Sequence, residues 1–248
     1  MSGRAVWILL VAGSMALLAT ASVWAVSSAI WKVQTQGRFE AGELTNISIN
    51  SRGEVTLAPS LDLIADTGEL YIWCLARDAQ GNLYVGTGND GKVFKITADG
   101  EATLLADFDE PDVLCLRVDE KGHVYAGTSA SGTIYRIAPS GDSSTFFTTG
   151  EHYVWALVLD AGGNLYAGTG DTGKIYKIAP DGSGEVLYDA PETHIVSLLQ
   201  GDDGSLYAGG EGSGIIYKIS SRGEPFVLYD AAEKEVRCLA LDSEGVLY

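Results

Sequence analysis

The stretch NLYAGTGDTGKIYKI, residues 164–178, is one of four versions of the same phrase: NLYVGTGNDGKVFKI starts at 82, HVYAGTSASGTIYRI at 123 and SLYAGGEGSGIIYKI at 205. The interval is 41 residues every time, with no insertion or deletion. A fixed tandem period of this size marks a repeat architecture, in which each copy is one supersecondary unit that buries its apolar faces only against its neighbours. The register extends beyond the phrase: Tyr84, Tyr125, Tyr166, Tyr207 and Tyr248 share a column, as do Gly100, Gly141, Gly182 and Gly223.

Residues 153–193 show what one copy contains. YVWALVL is apolar almost throughout, and a run this short suits a strand buried on both faces better than a helix. Next comes a turn, Asp160 to Asn164, where Asp can bind backbone N–H groups and Gly can take a positive φ. Its column holds Asp78, Asp119, Asp160 and Asp242, with Gly201 as the exception. LYAGT predicts a second strand, GDTG a hairpin, KIYKI a third strand with Ile175 and Ile178 on opposite faces, and EVLYD a fourth. Gly86, Gly127, Gly168 and Gly209 fall inside the second strand, where glycine marks a bulge or a close backbone approach. Four-stranded units of about 40 to 45 residues are the size of β-propeller blades, whose first strand is innermost. The expected fold is all-β, a β-propeller of four-stranded antiparallel blades.

The pattern D-x-x-G-x-L-Y-x-G-T followed by G-x-I-Y-K-I resembles the repeats of two-component-regulator, NHL and quinoprotein-like propellers, over residues 71–248. The Trp-Asp dipeptide of WD40 repeats is missing. This resemblance implies the fold and leaves the function open, because such propellers serve as sensors, scaffolds, lyases and lactonases.

A chain of 248 residues with 46% hydrophobic residues can bury the core of one such domain. Its net charge of −17 argues against nucleic acid or an anionic membrane surface as partner. Residues 5–31 carry no charge. They are expected to be an apolar helix, either an export signal cleaved after Ala25 or an uncleaved anchor, and both place the propeller outside the cytoplasm. The expected organisation is a signal or anchor at 1–31, a linker at 32–42 and the propeller at 43–248. The propeller divides into a degenerate blade at 43–70, full repeats at 71–111, 112–152, 153–193 and 194–234, and a partial repeat at 235–248. A ring cannot end inside a blade, so the chain is expected to be part of a longer protein; closure by the N-terminal strands is the alternative.

Cys74, Cys115 and Cys238 share a column with Ala156 and Ser197, which predicts a small buried side chain rather than a disulfide. Lys95, Arg136, Lys177 and Lys218 form a column of structural cations, for which a neighbouring blade's Asp is the expected partner. The Asp turns offer too few oxygens for Ca²⁺. Function is expected where columns disagree, in the links between one blade's fourth strand and the next blade's first. Those links gather Glu110, Asp112, Glu151, His152, Glu192, His194, Glu233 and Glu235 beside Trp73, Trp155 and Arg237 of the inner strands. Trp73, Glu110, Asp112, Glu151, His152, Trp155, Glu192, His194 and Arg237 are the candidate ligand-binding residues. They would serve a protein, peptide or saccharide ligand at the channel mouth of a binding, scaffold or sensory module. In the alternative, His152 and His194 join carboxylates around a divalent metal, as in propeller lyases and lactonases. Their separation of 42 follows no ligand-spacing motif. His123, in a turn, is assigned no role. No phosphate-binding loop, nucleophile elbow or C-x-x-C occurs, and no catalytic residue, metal or cofactor is assigned.

Overall fold

The computed structural model describes residues 45–50, 52–59 and 62–248. The expected N-terminal helix and the linker lie outside the described residues. Among those described there is no helix, and so none long and apolar enough to cross a membrane. The chain separates into two units, Met1–Leu61 and Asp62–Tyr248.

In the first unit, β1 (Ile47–Ile49) and β2 (Val55–Leu57) pair antiparallel with Ser48 opposite Thr56. Their connection is held by the Asn50 side chain, whose Oδ1 accepts the N–H groups of Arg52 and Glu54. Residues 62–66 of the expected degenerate blade, where Leu63 aligns with Leu104 of the next repeat's fourth strand, carry no strand. The physical reason is in the sequence: no hairpin phrase precedes them, so a fourth strand there has no third strand to pair with.

The described residues of the second unit form four antiparallel sheets of four strands, each in chain order. Blade one is β3 (Tyr71–Arg77), β4 (Leu83–Gly88), β5 (Lys92–Ile96) and β6 (Ala102–Asp107). Blade two is β7 (Val113–Val118), β8 (Val124–Thr128), β9 (Thr133–Ile137) and β10 (Ser143–Thr148). Blade three is β11 (Val154–Leu159), β12 (Leu165–Thr169), β13 (Lys174–Ile178) and β14 (Gly184–Asp189). Blade four is β15 (His194–Gln200), β16 (Leu206–Glu211), β17 (Ile215–Ile219) and β18 (Pro225–Asp230). Beyond it, Ala240 and Tyr248 exchange backbone hydrogen bonds at 3.0 and 2.8 Å, the opening of a further hairpin.

The core lies between blades. Ile175 and Ile178, on opposite faces of β13, are both fully buried; Ile175 packs with blade four and Ile178 with blade two. A third strand with a blade on either side has no solvent face, which is why KIYKI is apolar at both positions. The first strands of successive blades are neighbours and form an inner row. β3 has no preceding blade among the described residues, and Trp73 and Leu75 are accordingly 54% and 60% exposed.

The glycine inside the second strand is explained by close approach. A Cβ on Gly127 would lie 2.6 Å from Cys115 Sγ and 2.7 Å from Val154 Cγ1; one on Gly168 would lie 2.8 Å from both Cγ2 and the carbonyl oxygen of Ile195. Val113, Val154, Ile195 and Val236 occupy one column, and each seats on the glycine of the blade before it. The small-residue column completes the joint. Cys74 Sγ donates to Val113 O at 3.4 Å, Cys115 Sγ to Val154 O at 3.2 Å and Ser197 Oγ to Val236 O at 2.8 Å. Burial pushes the Cys74 thiol up to about 12, so it remains a protonated donor.

On the side of the first turns, Asp160 Oδ1 accepts the Asn164 backbone N–H at 2.8 Å, and Oδ2 accepts Asn164 Nδ2 at 2.8 Å and the Tyr166 hydroxyl at 3.3 Å. Asp78 repeats this with Asn82 and Tyr84. In blade two, His123 takes the Asn place, its Nδ1 3.0 Å from Asp119 Oδ2. Blade four, with Gly201 in the Asp column, substitutes Asp203, whose carboxyl is held at about 2 by the Lys218 ammonium and then by Ser205. The cation column finds aromatic partners in its own blade rather than an Asp of the next: Lys95, Lys177 and Lys218 lie over Tyr84, Tyr166 and Tyr207, and Arg136 over Phe146. A long cation beside a ring on the same sheet face reaches it without crossing to another blade.

Two outcomes follow. Gly168→Ala is expected to cost about 1–3 kcal/mol in urea denaturation through overpacking against Ile195, whereas Cys115→Ala costs less than about 1 kcal/mol, since blade three already carries Ala156 there. Burial alone would raise the Asp160 carboxyl, but the Asn164 and Tyr166 hydrogen bonds hold it below the usual range. A depressed folded-state pKa gives stability that is present above the unfolded value and lost as pH falls through the folded one. The stability difference between wild type and Asp160→Asn should therefore narrow as the pH drops from about 5 towards 2.

Candidate functional site

Each first strand contains one residue that the ladder skips. Ile72 pairs with Thr87 and Cys74 with Gly86, leaving Trp73 out; Val154 pairs with Thr169 and Ala156 with Gly168, leaving Trp155 out. The same bulge isolates Leu114 and Val196. A bulge re-aims the extra side chain. Here it serves the upper side of the blades, where the hairpins between second and third strands and the links between blades both lie. Two further columns meet it there. One is Tyr71, Asp112, Tyr153, His194 and Glu235; the other is the hairpin residue with left-handed backbone, Asn89, Ala130, Asp171 and Gly212, with φ of 75°, 69°, 74° and 128°.

Two side-chain groups result. In the first, Tyr71 stacks on Trp73 with ring centroids 5.9 Å apart, and Asp112 Oδ1 accepts Trp73 Nε1 at 3.0 Å and the Asn89 backbone N–H at 3.4 Å. Ser129 Oγ donates to the other Asp112 oxygen at 2.8 Å. An open cleft of about 520 Å³, lined by Asn89, Asp90, Lys92, Phe108, Asp109 and Glu110, lies beside it. In the second group, Tyr153 stacks on Trp155 at 5.2 Å, and His194 Nδ1 accepts Trp155 Nε1 at 3.2 Å and the Asp171 backbone N–H at 3.3 Å. Two N–H donors at Nδ1 make it the unprotonated nitrogen of a neutral His194, with the ring proton on Nε2. His152 Nδ1 lies 2.6 Å from Asp171 Oδ2, which also accepts the His152 backbone N–H at 3.0 Å. That backbone bond first, and then the ring, hold the Asp171 carboxyl below the usual range. The His152 side chain is 71% exposed.

The link glutamates do something else. Glu69, Glu110, Glu151, Glu192 and Glu233 recur at intervals of 41, a constant column rather than a variable one. Glu151 Oε1 accepts Lys174 Nζ at 2.7 Å and Thr172 Oγ1 at 2.8 Å; Glu192 accepts the Ser213 N–H at 2.8 Å and the Tyr217 hydroxyl at 3.1 Å. Glu110 accepts from Ser131 and from Tyr135. Each carboxylate thus grips the hairpin of the blade it introduces. Its backbone lies on the hairpin glycine of the blade before, since a Cβ on Gly132 or Gly173 would lie 1.9 or 2.4 Å from the carbonyl oxygen of Glu151 or Glu192. Glu151 and Glu192 are buried.

Of the candidate residues, the structure gathers Trp73 with Asp112, and His152 with Trp155 and His194. It engages Glu110, Glu151 and Glu192 within blades, and it pairs Arg237 with Glu235 at 2.8 Å. Tyr71, Asn89, Tyr153 and Asp171 belong to the same groups and were missed. Their signal was available in columns that change from blade to blade beside columns that do not. Among the described residues no group of three or more His, Cys, Asp or Glu is placed to hold a metal ion.

Comparison with known proteins agrees with this architecture. A family model described as two component regulator propeller matches residues 68–89, the first two strands of blade one. The fold is that of a β-propeller. Among solved structures, a catalytically inactive virginiamycin B lyase from Staphylococcus aureus, with quinupristin, is similar at 17% identity and a TM-score of 0.63 over 71% of this chain. The chain spans 62% of that lyase, less than two thirds of its length. A chain of a nidogen/laminin complex matches at 18% identity and a TM-score of 0.60, over 69% of each chain. The extracellular domain of a putative one component system from B. thetaiotaomicron matches at 16% and 0.59, over 77% of this chain and 27% of that one. At such identities the likeness shows the propeller fold alone. No curated protein matches by sequence.

The division between frame and rim is testable by substitution. Glu151→Ala is expected to lower the melting temperature clearly, because it leaves Lys174 and Thr172 without their acceptor. His152→Ala, at an exposed position, should stay within about 0.5 kcal/mol of wild type in urea denaturation.

Proposed function

We propose that this chain is an extracytoplasmic propeller that works as a binding or sensory module, taking a polar ligand with an apolar face, a peptide or a saccharide, on the upper inner rim. One observation carries this: the skipped residue of each first strand differs from blade to blade, Trp73, Leu114, Trp155, Val196, while the packing columns around it stay constant. A rigid frame that varies one partly exposed inner position per blade is how scaffolds present recognition surfaces. The stacked Tyr153 and Trp155 offer a face, and His152, His194 and Asp171 offer hydrogen-bonding groups at its border. Aromatic rings with one polar edge suit such ligands.

The extracytoplasmic placement draws support from the uncharged run at residues 5–31, the net charge of −17 and the sensor-type family model and neighbour. A metal-dependent lyase reaction gains no support from the rim, where the described His and carboxylate groups do not assemble into a metal-holding set.

The test is a thermal-shift and calorimetric screen of the protein against a panel of soluble peptides and oligosaccharides. For any binder found, Trp155→Ala should weaken Kd by about tenfold or more. Lys121→Ala, in a first turn on the opposite side, should leave it unchanged. A binder indifferent to both Trp155→Ala and Trp73→Ala would sink the assignment of the rim.

A further inference from the structure

The two rim groups share one geometry and differ in chemistry. In each, a single acceptor atom receives the indole N–H of the bulge residue in the preceding blade and the backbone N–H of that blade's left-handed hairpin residue. In the first group the atom is Asp112 Oδ1, with donors at 3.0 and 3.4 Å; in the second it is His194 Nδ1, with donors at 3.2 and 3.3 Å. Asp112 and His194 occupy the same position of the repeat, as do Trp73 and Trp155, and Asn89 and Asp171. A carboxylate keeps its lone pairs throughout the neutral range. An imidazole does not, and it is the side chain whose charge changes between about pH 5 and 8. A proton on Nδ1 would convert the acceptor into a donor facing two N–H groups that have no lone pair to offer. Both hydrogen bonds are then lost together.

We propose that His194 is a proton-operated latch on the binding rim. Neutral, it fixes Trp155 and the hairpin tip of blade three in the arrangement described; protonated, it releases both, and the rim loses its binding arrangement. This inference rests on the rim being the binding site, and it adds that acidification regulates it. The surroundings give the charged ring somewhere to go. The Asp171 carboxylate on the blade-three hairpin interacts electrostatically with it, and Glu211 stands opposite His194 in the β15–β16 ladder. From β11 and the residue just before that strand, the ring meets Trp155 and Tyr153. On its own link, Glu192 is committed to Ser213 and Tyr217, and beyond Glu211 lies Glu235, paired with Arg237. His152 is not the switch, because its Nδ1 faces the Asp171 carboxylate, an acceptor for the neutral and the charged ring alike. The Asp112 group, with a carboxylate oxygen in place of the ring nitrogen, is the built-in counterpart.

The experiment is an NMR pH titration of the full chain, ¹⁵N-labelled and without ligand, following the indole N–H resonances assigned through Trp73→Phe and Trp155→Phe. The Trp155 indole signal should move sigmoidally between about pH 5 and 8, while that of Trp73 stays fixed. His194→Asp, which recreates the Asp112 arrangement, should abolish the transition, and His152→Gln should retain it. If His194→Asp does not fold, His194→Asn supplies a comparable acceptor oxygen for the same comparison. A flat Trp155 signal, a transition that survives in the His194 variant, or one that disappears in His152→Gln overturns the latch. Because no ligand is present, a flat titration refutes the latch and leaves the rim assignment to the Trp155→Ala binding test, whose failure in turn leaves the titration result standing.

Discussion

Every blade after the first is seated by pressing one aliphatic side chain of its first strand onto a glycine of the blade before it. Val113, Val154, Ile195 and Val236 sit where a Cβ on Gly86, Gly127, Gly168 or Gly209 would be, at separations no real side chain tolerates. The carbonyl of the same aliphatic residue is reached from the preceding blade by Cys74, Cys115 or Ser197. This contact sets the spacing of the inner row, and the third strands then fill the space between sheets on both of their faces. The bulge falls between the seated residue and its small neighbour. It lifts one side chain out of the ladder and away from the seated aliphatic–glycine contact, and a position freed from that contact can vary without disturbing it.

That freedom is used in alternation. Blades one and three carry Tyr-x-Trp, at Tyr71 and Trp73 and at Tyr153 and Trp155; blades two and four answer with Asp112 and His194. The backbone repeats every blade, but the rim chemistry repeats every second blade. Two platforms of the same kind are thereby set two blades apart, one anchored by a carboxylate and the other by an imidazole.

The fold was legible because its determinants are periodic. The glycine, tyrosine and Asp-turn columns stand out by eye, and the burial of Ile175 and Ile178 follows from the alternation of KIYKI. The rim was legible in part. Trp73, Asp112, Trp155 and His194 were reached by looking for disagreement between copies, yet the glutamates were placed with them although they recur as strictly as the glycines. A link residue looks exposed in sequence, and only the return of its side chain to the next hairpin shows it to be buried. Tyr153 and Asp171 stand in columns that vary, but only the bulge shows that they meet around Trp155 and His194: one skipped residue brings together side chains that simple strand counting keeps apart. The cation column was expected to meet an Asp of the neighbouring blade; its partners lie in the same blade, a ring in every case and Asp203 besides for Lys218.

The link glutamates have a consequence for how the array comes apart. Glu151 and Glu192 each have their main chain on one sheet and their carboxylate buried in the next, so the sheets they join cannot peel apart without leaving a buried charge unpaired. In a one-dimensional chain of folding elements, such a residue adds to the coupling between neighbours rather than to the intrinsic stability of either. Strong coupling with weak intrinsic terms makes loss of structure collective, so damage at one joint spreads along the array instead of remaining local.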